Sequence, residues 1–206
     1  MRILLLVLLS VATLSVTAQA IQDFPDFRSK RDNLSRCPDP VIKHDLIFFT
    51  LAGLDQRVGQ PQATSLPVTA SGSDFIQFSG SDVQVVIRGA EFEQGKRKLG
   101  YIDKHLVRID NKPYFGNYGV LPTEAIQSVT MITGRDTVHV PAAAFADLYQ
   151  PLFMGESNTT HDGVYLSPDK HTVYIYMLNK EVNGYYEVTW VIRDKQFIRR
   201  IVDTDI

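Results

Sequence analysis

The chain has 206 residues, with 21 basic and 23 acidic side chains, a formal net charge of −2 and a single cysteine, Cys37. One cysteine excludes an internal disulfide, so stability must come from a buried core, and a chain of this length is long enough to form one. The mildly acidic balance offers nucleic acid no basic stripe on which to neutralise phosphates, so nucleic acid is not an expected partner.

Residues 1–20 carry one basic residue, Arg2, then an apolar stretch, and end on Ala18-Gln19-Ala20. This A-x-A ending after an apolar core is the pattern of a secretory signal peptide. The apolar stretch is broken by Ser and Thr, is short for a membrane span, and has no counterpart later in the chain. The expectation is an exported protein, periplasmic or extracellular, with no membrane span and a mature start near Ile21. Cys37 lies well past that point, so it is not the acylated first residue of a lipoprotein. It reads as a buried or idle thiol; intermolecular pairing or redox reactivity would need a defined electropositive site.

Residues 21–40 are polar, with prolines at 25, 38 and 40, and read as an irregular arm. Residues 46–51, LIFFTL, are too short an apolar run to separate strand from buried helix by period alone, and strand is the reading adopted. Residues 55–74 are rich in turn formers and small polar residues and read as linker. The expected division is a signal peptide (1–20), an arm and linker (21–72) and an antiparallel β domain (73–206). A continuous domain that also uses residues 41–52 is the alternative.

Strand-like segments follow at 75–78, 83–88, 99–102 and 105–109. Asp110-Asn111 turns the chain into 112–116, and Thr133-Gly-Arg-Asp136 joins a strand at 125–132 to one at 137–140. Pro141 suits the first turn of a helix, where its missing N–H costs nothing, so residues 142–149 are the expected short helix, stopped by Pro151. Ser167-Pro-Asp-Lys170 is a type I turn into a final meander.

In that meander, residues 171–178 and 185–193 are dominated by β-branched and aromatic side chains. Asn183-Gly184 between them predicts a type I′ hairpin with Val182 opposite Tyr185. That register pairs Lys180 with Glu187, Met177 with Trp190 and Ile175 with Ile192. Asp194-Lys195 then sets Ile192 against Phe197, Val188 against Ile201, and Arg199 beside Trp190 as a cation–π pair. The opposite face, with Tyr174, Tyr176, Leu178, Val191, Ile198 and Val202, is too apolar to face water and needs a second sheet, a helix or a ligand over it. The fold class is mainly β: an antiparallel meander or sandwich, or a strongly curved sheet, with one short helix.

Six stretches together carry a resemblance: Asp74-Phe-Ile-Gln-Phe-Ser-Gly80, Ile109-Asp-Asn-Lys-Pro-Tyr-Phe-Gly116, Asp147-Leu-Tyr-Gln-Pro151, Val173-Tyr-Ile-Tyr-Met-Leu-Asn179, Tyr186-Glu-Val-Thr-Trp-Val-Ile192 and Arg199-Arg-Ile-Val-Asp203. In these the chain resembles a group of exported bacterial proteins of unknown function, over residues 74–203. The resemblance implies an extracytoplasmic bacterial setting and one main domain, and it implies no enzyme activity and no catalytic residues. The turn at 180–184 departs from the smaller, more glycine-rich turn of that group.

No catalytic signature stands out. Each histidine lies near an acid (His44 by Asp45, His105 by Asp103, His139 by Asp136, His161 by Asp162, His171 by Asp169), but no H-E-x-x-H, no histidine pair at i and i+4 and no cysteine cluster supplies ligand spacing. A G-x-S-x-G elbow is absent, and Gly95-Lys96 lacks the surroundings of a phosphate-binding loop. Paired carboxylates of a glycosidase have no sequence signature to find. No catalytic residue, metal ligand or cofactor is therefore assigned. Asn33-Leu-Ser35 and Asn158-Thr-Thr160 fit the glycosylation pattern and read as coincidence in a bacterial setting.

The most ligand-like stretch is residues 110–122, where aromatics alternate with Gly, Asn and a Lys. Asp110, Lys112, Tyr114, Phe115, Asn117 and Tyr118 are the candidate ligand-binding residues, because exposed aromatics with polar neighbours stack on sugars or grip proteins. The competing reading makes Tyr114, Phe115 and Tyr118 a plug for the end of the sheet core, with Gly116 and Gly119 permitting tight turns. The functional expectation is a non-enzymatic exported module, for binding or envelope-associated interaction, with a protein or glycan ligand. The alternatives are an extracytoplasmic hydrolase of polysaccharide or peptide, and a periplasmic inhibitor or immunity protein.

Overall fold

The computed structural model describes residues 37–48, 63–154, 159–179 and 184–204. The expected signal peptide, the arm up to residue 36, residues 49–51, Asn33, Asn158, and Lys180 to Asn183 of the predicted turn lie outside these residues. The described chain forms the helix α1 (Pro40–Phe48) and the strands β1 (Thr64–Leu66), β2 (Val68–Ser71), β3 (Phe75–Gly80), β4 (Val83–Glu91), β5 (Leu99–Ile102), β6 (His105–Ile109), β7 (Glu124–Thr133), β8 (Asp136–His139), β9 (Gly163–Leu166), β10 (Thr172–Asn179), β11 (Tyr186–Arg193) and β12 (Gln196–Asp203). These make two five-stranded antiparallel sheets, in the orders β1-β9-β10-β11-β12 and β2-β3-β4-β7-β8, and a separate β5-β6 ribbon. No helix among the described residues is long and apolar enough to cross a membrane.

The expected fold class is the one observed. In β4, Val83, Val85 and Ile87 alternate inward with more exposed neighbours, the period of a half-buried strand. They meet Val173, Ile175, Val188 and Trp190 of the other sheet in one core, so the two sheets pack face to face. Tight turns join several neighbours: Ser81-Asp82, Asp110-Asn111 and Asp194-Lys195 each place two consecutive residues in the left-handed region. That geometry matches the twist of the strands they connect. Two short strands, β1 and β2, fall in the stretch read as linker, and they contribute an edge to each large sheet across Pro67.

The C-terminal meander is as expected in its elements and different in register. Met177 pairs with Val188 and Ile175 with Trp190, two residues from the predicted alignment, with Asn179 opposite Tyr186. A shift of two keeps every side chain on its predicted face, so the hydrophobic pattern alone does not separate the two registers. Between β11 and β12, Ile192 does face Phe197, but a bulge at Val191/Ile192 then sets Val188 opposite Val202 and Trp190 opposite Arg200. The one-residue slip exchanges the faces of the end of β12: Val202 joins the core between the sheets, and Ile201 joins the outer cluster. Arg199 accordingly does not stack on Trp190.

Two element assignments are corrected. The run beginning at residue 46, read as strand, is the end of α1, whose start is fixed by Asp39: its Oδ1 accepts the N–H groups of Val41 at 2.8 Å and Ile42 at 3.1 Å, with Pro40 at the first position. The helix expected at 142–149 is only a 3₁₀ turn, Ala142–Ala144. Its continuation is prevented because neighbouring groups claim the backbone: the Trp190 indole donates to the Ala144 carbonyl at 2.8 Å, Phe115 N–H donates to Asp147 O, and Tyr149 N–H donates to Phe115 O. Tertiary hydrogen bonds outweigh the alanine propensity there.

α1 supplies the cover that the outer face of the C-terminal sheet requires. Tyr174, Tyr176, Leu178, Val191 and Ile201 form a buried cluster with Cys37 and Ile42 packed on it. Asp45, 1% exposed, accepts from Tyr174 at 3.2 Å and from Arg193 at 2.9 Å, and its second oxygen lies 3.2 Å from Arg199 Nε. One carboxylate on the helix thus addresses three adjacent strands. With this cover on one face and the second sheet on the other, all eight residues of β10 are buried.

Candidate binding surface

The six candidate residues of the 110–118 segment divide by burial. Phe115 is 4% exposed and packs at 6.0 Å on the Tyr186 ring, inside the core between the sheets. Tyr114 is half-buried, edge-on to Tyr149 at 5.9 Å, and its hydroxyl donates to the Leu106 carbonyl at 3.1 Å. Asn117 donates its backbone N–H to Gln150 Oε1 at 3.1 Å. Asp110 is exposed, and its carboxyl is held below the ordinary range by the Lys98 N–H and then by Arg97, whose guanidinium is 2.8 Å away. Lys112 and Tyr118 remain exposed, Tyr118 at 63%. The backbone beneath them is closely fitted: a Cβ on Gly184 would lie 2.1 Å from the Gly116 carbonyl oxygen, so only glycine allows that approach.

The structure adds residues that the sequence reading did not single out. The end of the β5-β6 ribbon pairs Tyr101 with Leu106 and Ile102 with His105, and Leu106 bridges to Gly119 of the loop. Residues 101–105 are exposed in succession. Tyr101 is 50% exposed, Ile102 64% and Val120 48%, so with Tyr118 four large apolar side chains stand in solvent on the ribbon and the loop bridged to it. Tyr101 and Tyr118 are both close enough to Tyr114 to add to the rise in its phenol pKa, which burial causes first. The alternating β5 and β6 sequences carried a signal of amphipathic ribbon, but not of which side would stay wet.

A cleft of about 150 Å³ lies beneath the ribbon, between the 110–114 segment and residues 143–149. Its floor is Tyr149, whose hydroxyl is pushed up to about 12 by burial. Both of its carboxylates are engaged: Asp110 by Arg97, and Asp147 by a two-pronged pair with Arg200, whose second prong is 3.1 Å long. Neither is placed as a free acid or base. The neighbouring residues 144–150 are clamped from the C-terminal sheet, where the Asn179 amide and the Tyr186 hydroxyl donate to the Tyr149 carbonyl, each at 3.1 Å.

Two of the described histidines direct a ring nitrogen to a partner distant in sequence. His171 Nδ1 lies 2.7 Å from Asp194, across the sheet end, while Asp169 accepts its backbone N–H. His139 faces Thr130 at 3.3 Å. Among the described residues, no three His, Cys, Asp or Glu side chains converge as a metal site would need. A scan against protein-family models, a search of curated proteins and a search of solved structures each return no match to this chain.

Proposed function

We propose that this protein is an exported, non-enzymatic module for binding or envelope-associated interaction, and that its contact surface is the end formed by the β5-β6 ribbon and the 110–122 loop. The observation that carries this reading is the exposure of Tyr101, Ile102, Tyr118 and Val120 on backbone held by bridges and close packing. Large apolar side chains clustered in water on a fixed frame mark an interaction site, because they gain free energy only when a partner covers them. A hydrolase acting on polysaccharide or peptide draws less support, since the carboxylates of the adjoining cleft are bound to arginines.

The test is the double variant Tyr101→Ala/Tyr118→Ala. Its melting temperature should match the parent protein, and its association with the cell-envelope fraction should fall at least roughly tenfold, as expected for two truncated contact aromatics. Unchanged association in a folded variant would refute the reading.

A further inference from the structure

We infer that this end docks on an anionic lipid surface, with Tyr101, Ile102, Tyr118 and Val120 entering the headgroup region beside Lys104 and Arg108. The inference rests on the reading of this end as the contact surface. Between residues 96 and 112 the chain holds six basic side chains (Lys96, Arg97, Lys98, Lys104, Arg108 and Lys112) against two acidic ones, Asp103 and Asp110, in a protein whose net charge is −2. Lys96 is paired with Glu93 and Arg97 with Asp110. Lys98, Lys104, Arg108 and Lys112 are exposed and enter no ion pair among the described residues. Lys104 and Arg108 thus flank the turn at which Tyr101 and Ile102 are exposed, against Asp103 alone, while Lys98 and Lys112 stand at the open end of the ribbon beside Asp110.

The chemistry that remains exposed distinguishes a lipid surface from a ligand read by shape. A glycan or a specific protein epitope is recognised through directional hydrogen bonds beside the rings. Here several groups suited to that work are already spent: the Tyr114 hydroxyl on Leu106 O, the exposed Asp110 carboxylate on Arg97 and Lys98, and the Asn117 N–H on Gln150. What is offered outward around the turn is apolar area, two tyrosines of the kind that settle at a bilayer interface, and the cations Lys104 and Arg108 on long stems, with Asp103 and His105 between them. An anionic bilayer asks for those features and for no fixed hydrogen-bond geometry. The apolar tips come from strand β5 and from the 110–122 loop bridged to it.

The measurement is co-flotation of the protein recovered from the exported fraction with vesicles of phosphatidylcholine alone, or of equal parts phosphatidylglycerol and phosphatidylcholine. Binding is expected only to the anionic vesicles, and high salt should abolish it. Lys104→Ala/Arg108→Ala removes two cations and should weaken binding roughly 30-fold. Ile102→Asp, at an exposed tip, should weaken it at least roughly tenfold without moving the melting temperature. All variants share one N-terminus, so differences report the ribbon alone. No binding to anionic vesicles would overturn the inference; so would binding that ignores Ile102→Asp, or that soluble dextran sulfate reproduces with the same insensitivity. If vesicles fail while Tyr101→Ala/Tyr118→Ala still abolishes envelope association, the lipid assignment falls, the contact surface stands, and the partner is a protein or glycan of the envelope.

Discussion

The C-terminal sheet and the β5-β6 ribbon are made of the same side chains and use them in opposite ways. In the sheet, Tyr174, Tyr176 and Tyr186 are buried and their hydroxyls donate to Asp45, Glu187 and the Tyr149 carbonyl. Its arginines are matched too: Arg193 and Arg199 to Asp45, Arg200 to Asp147. On the ribbon and its neighbouring loop, Tyr101 and Tyr118 stand in water and four exposed cations form no ion pair among the described residues. Residue type therefore says little about role here. Burial and pairing separate the groups that hold the fold from the groups left available for contact.

The comparison is broken most forcefully at Trp190, 0% exposed and bonded to Ala144 O. Trp190→Ala should cost about 3–5 kcal/mol, enough to unfold much of the population, as read by urea denaturation followed by far-ultraviolet circular dichroism. Asp45→Ala comes next. It leaves Arg193 and Arg199, 26% and 14% exposed at the side chain, without the carboxylate that faces both, and should cost about 3 kcal/mol in the same assay. A small effect at Asp45 would mean that α1 covers the sheet without being held by charge.

A smaller change, of opposite sign, is expected at Asp162. It is 7% exposed, one oxygen accepts the Leu178 N–H at 3.1 Å, and the other has no hydrogen-bond partner. Burial holds its carboxyl well above the ordinary 3.8, with the Leu178 N–H opposing. A carboxyl raised in the folded state is fully tolerated below the ordinary value, where both states are protonated. As pH climbs from there through the folded-state value, the unfolded chain ionises first and stability is lost. Asp162→Asn should therefore match the parent protein in acid and exceed it in stability at neutral pH, measured as melting temperature against pH. Parallel curves across the whole range would contradict the assignment.

How much of this was legible beforehand follows from which interactions are local. Turn chemistry is local, so Asp110-Asn111 and Asp194-Lys195 could be placed by sequence, and period-two alternation identified most of the strands. The β10-β11 register was not, because a shift of two preserves every face, and the bulge at Val191/Ile192 leaves no mark in composition. Asp39-Pro40 was a readable helix start lost among the prolines of the arm. The failure of the 142–149 helix was beyond local reasoning, since the groups that interrupt it come from Phe115 and Trp190. At the site, residues 110–118 were recognisable as unusual. Net charge, however, concealed the basic ribbon beside them, because a chain-wide balance averages away a run of six cations.

The smallest expected effect sharpens the comparison furthest. Tyr118 is 63% exposed, whereas Tyr114, four residues earlier in the same loop, is half-buried against Tyr149 and bonded to Leu106 O. Tyr118→Ala should change stability by no more than about 0.5 kcal/mol, the usual range for a surface side chain. Tyr114→Ala removes an edge-to-face ring contact and a hydroxyl that satisfies a backbone carbonyl, and should cost about 2–3 kcal/mol. Thermal melts of the two variants, run beside envelope association, give opposite patterns if the division is right: Tyr118→Ala keeps the fold and loses contact, while Tyr114→Ala loses stability first. Equal destabilisation by both would make the whole loop a plug for the core, and the contact surface would then reduce to the ribbon tip at Tyr101 and Ile102.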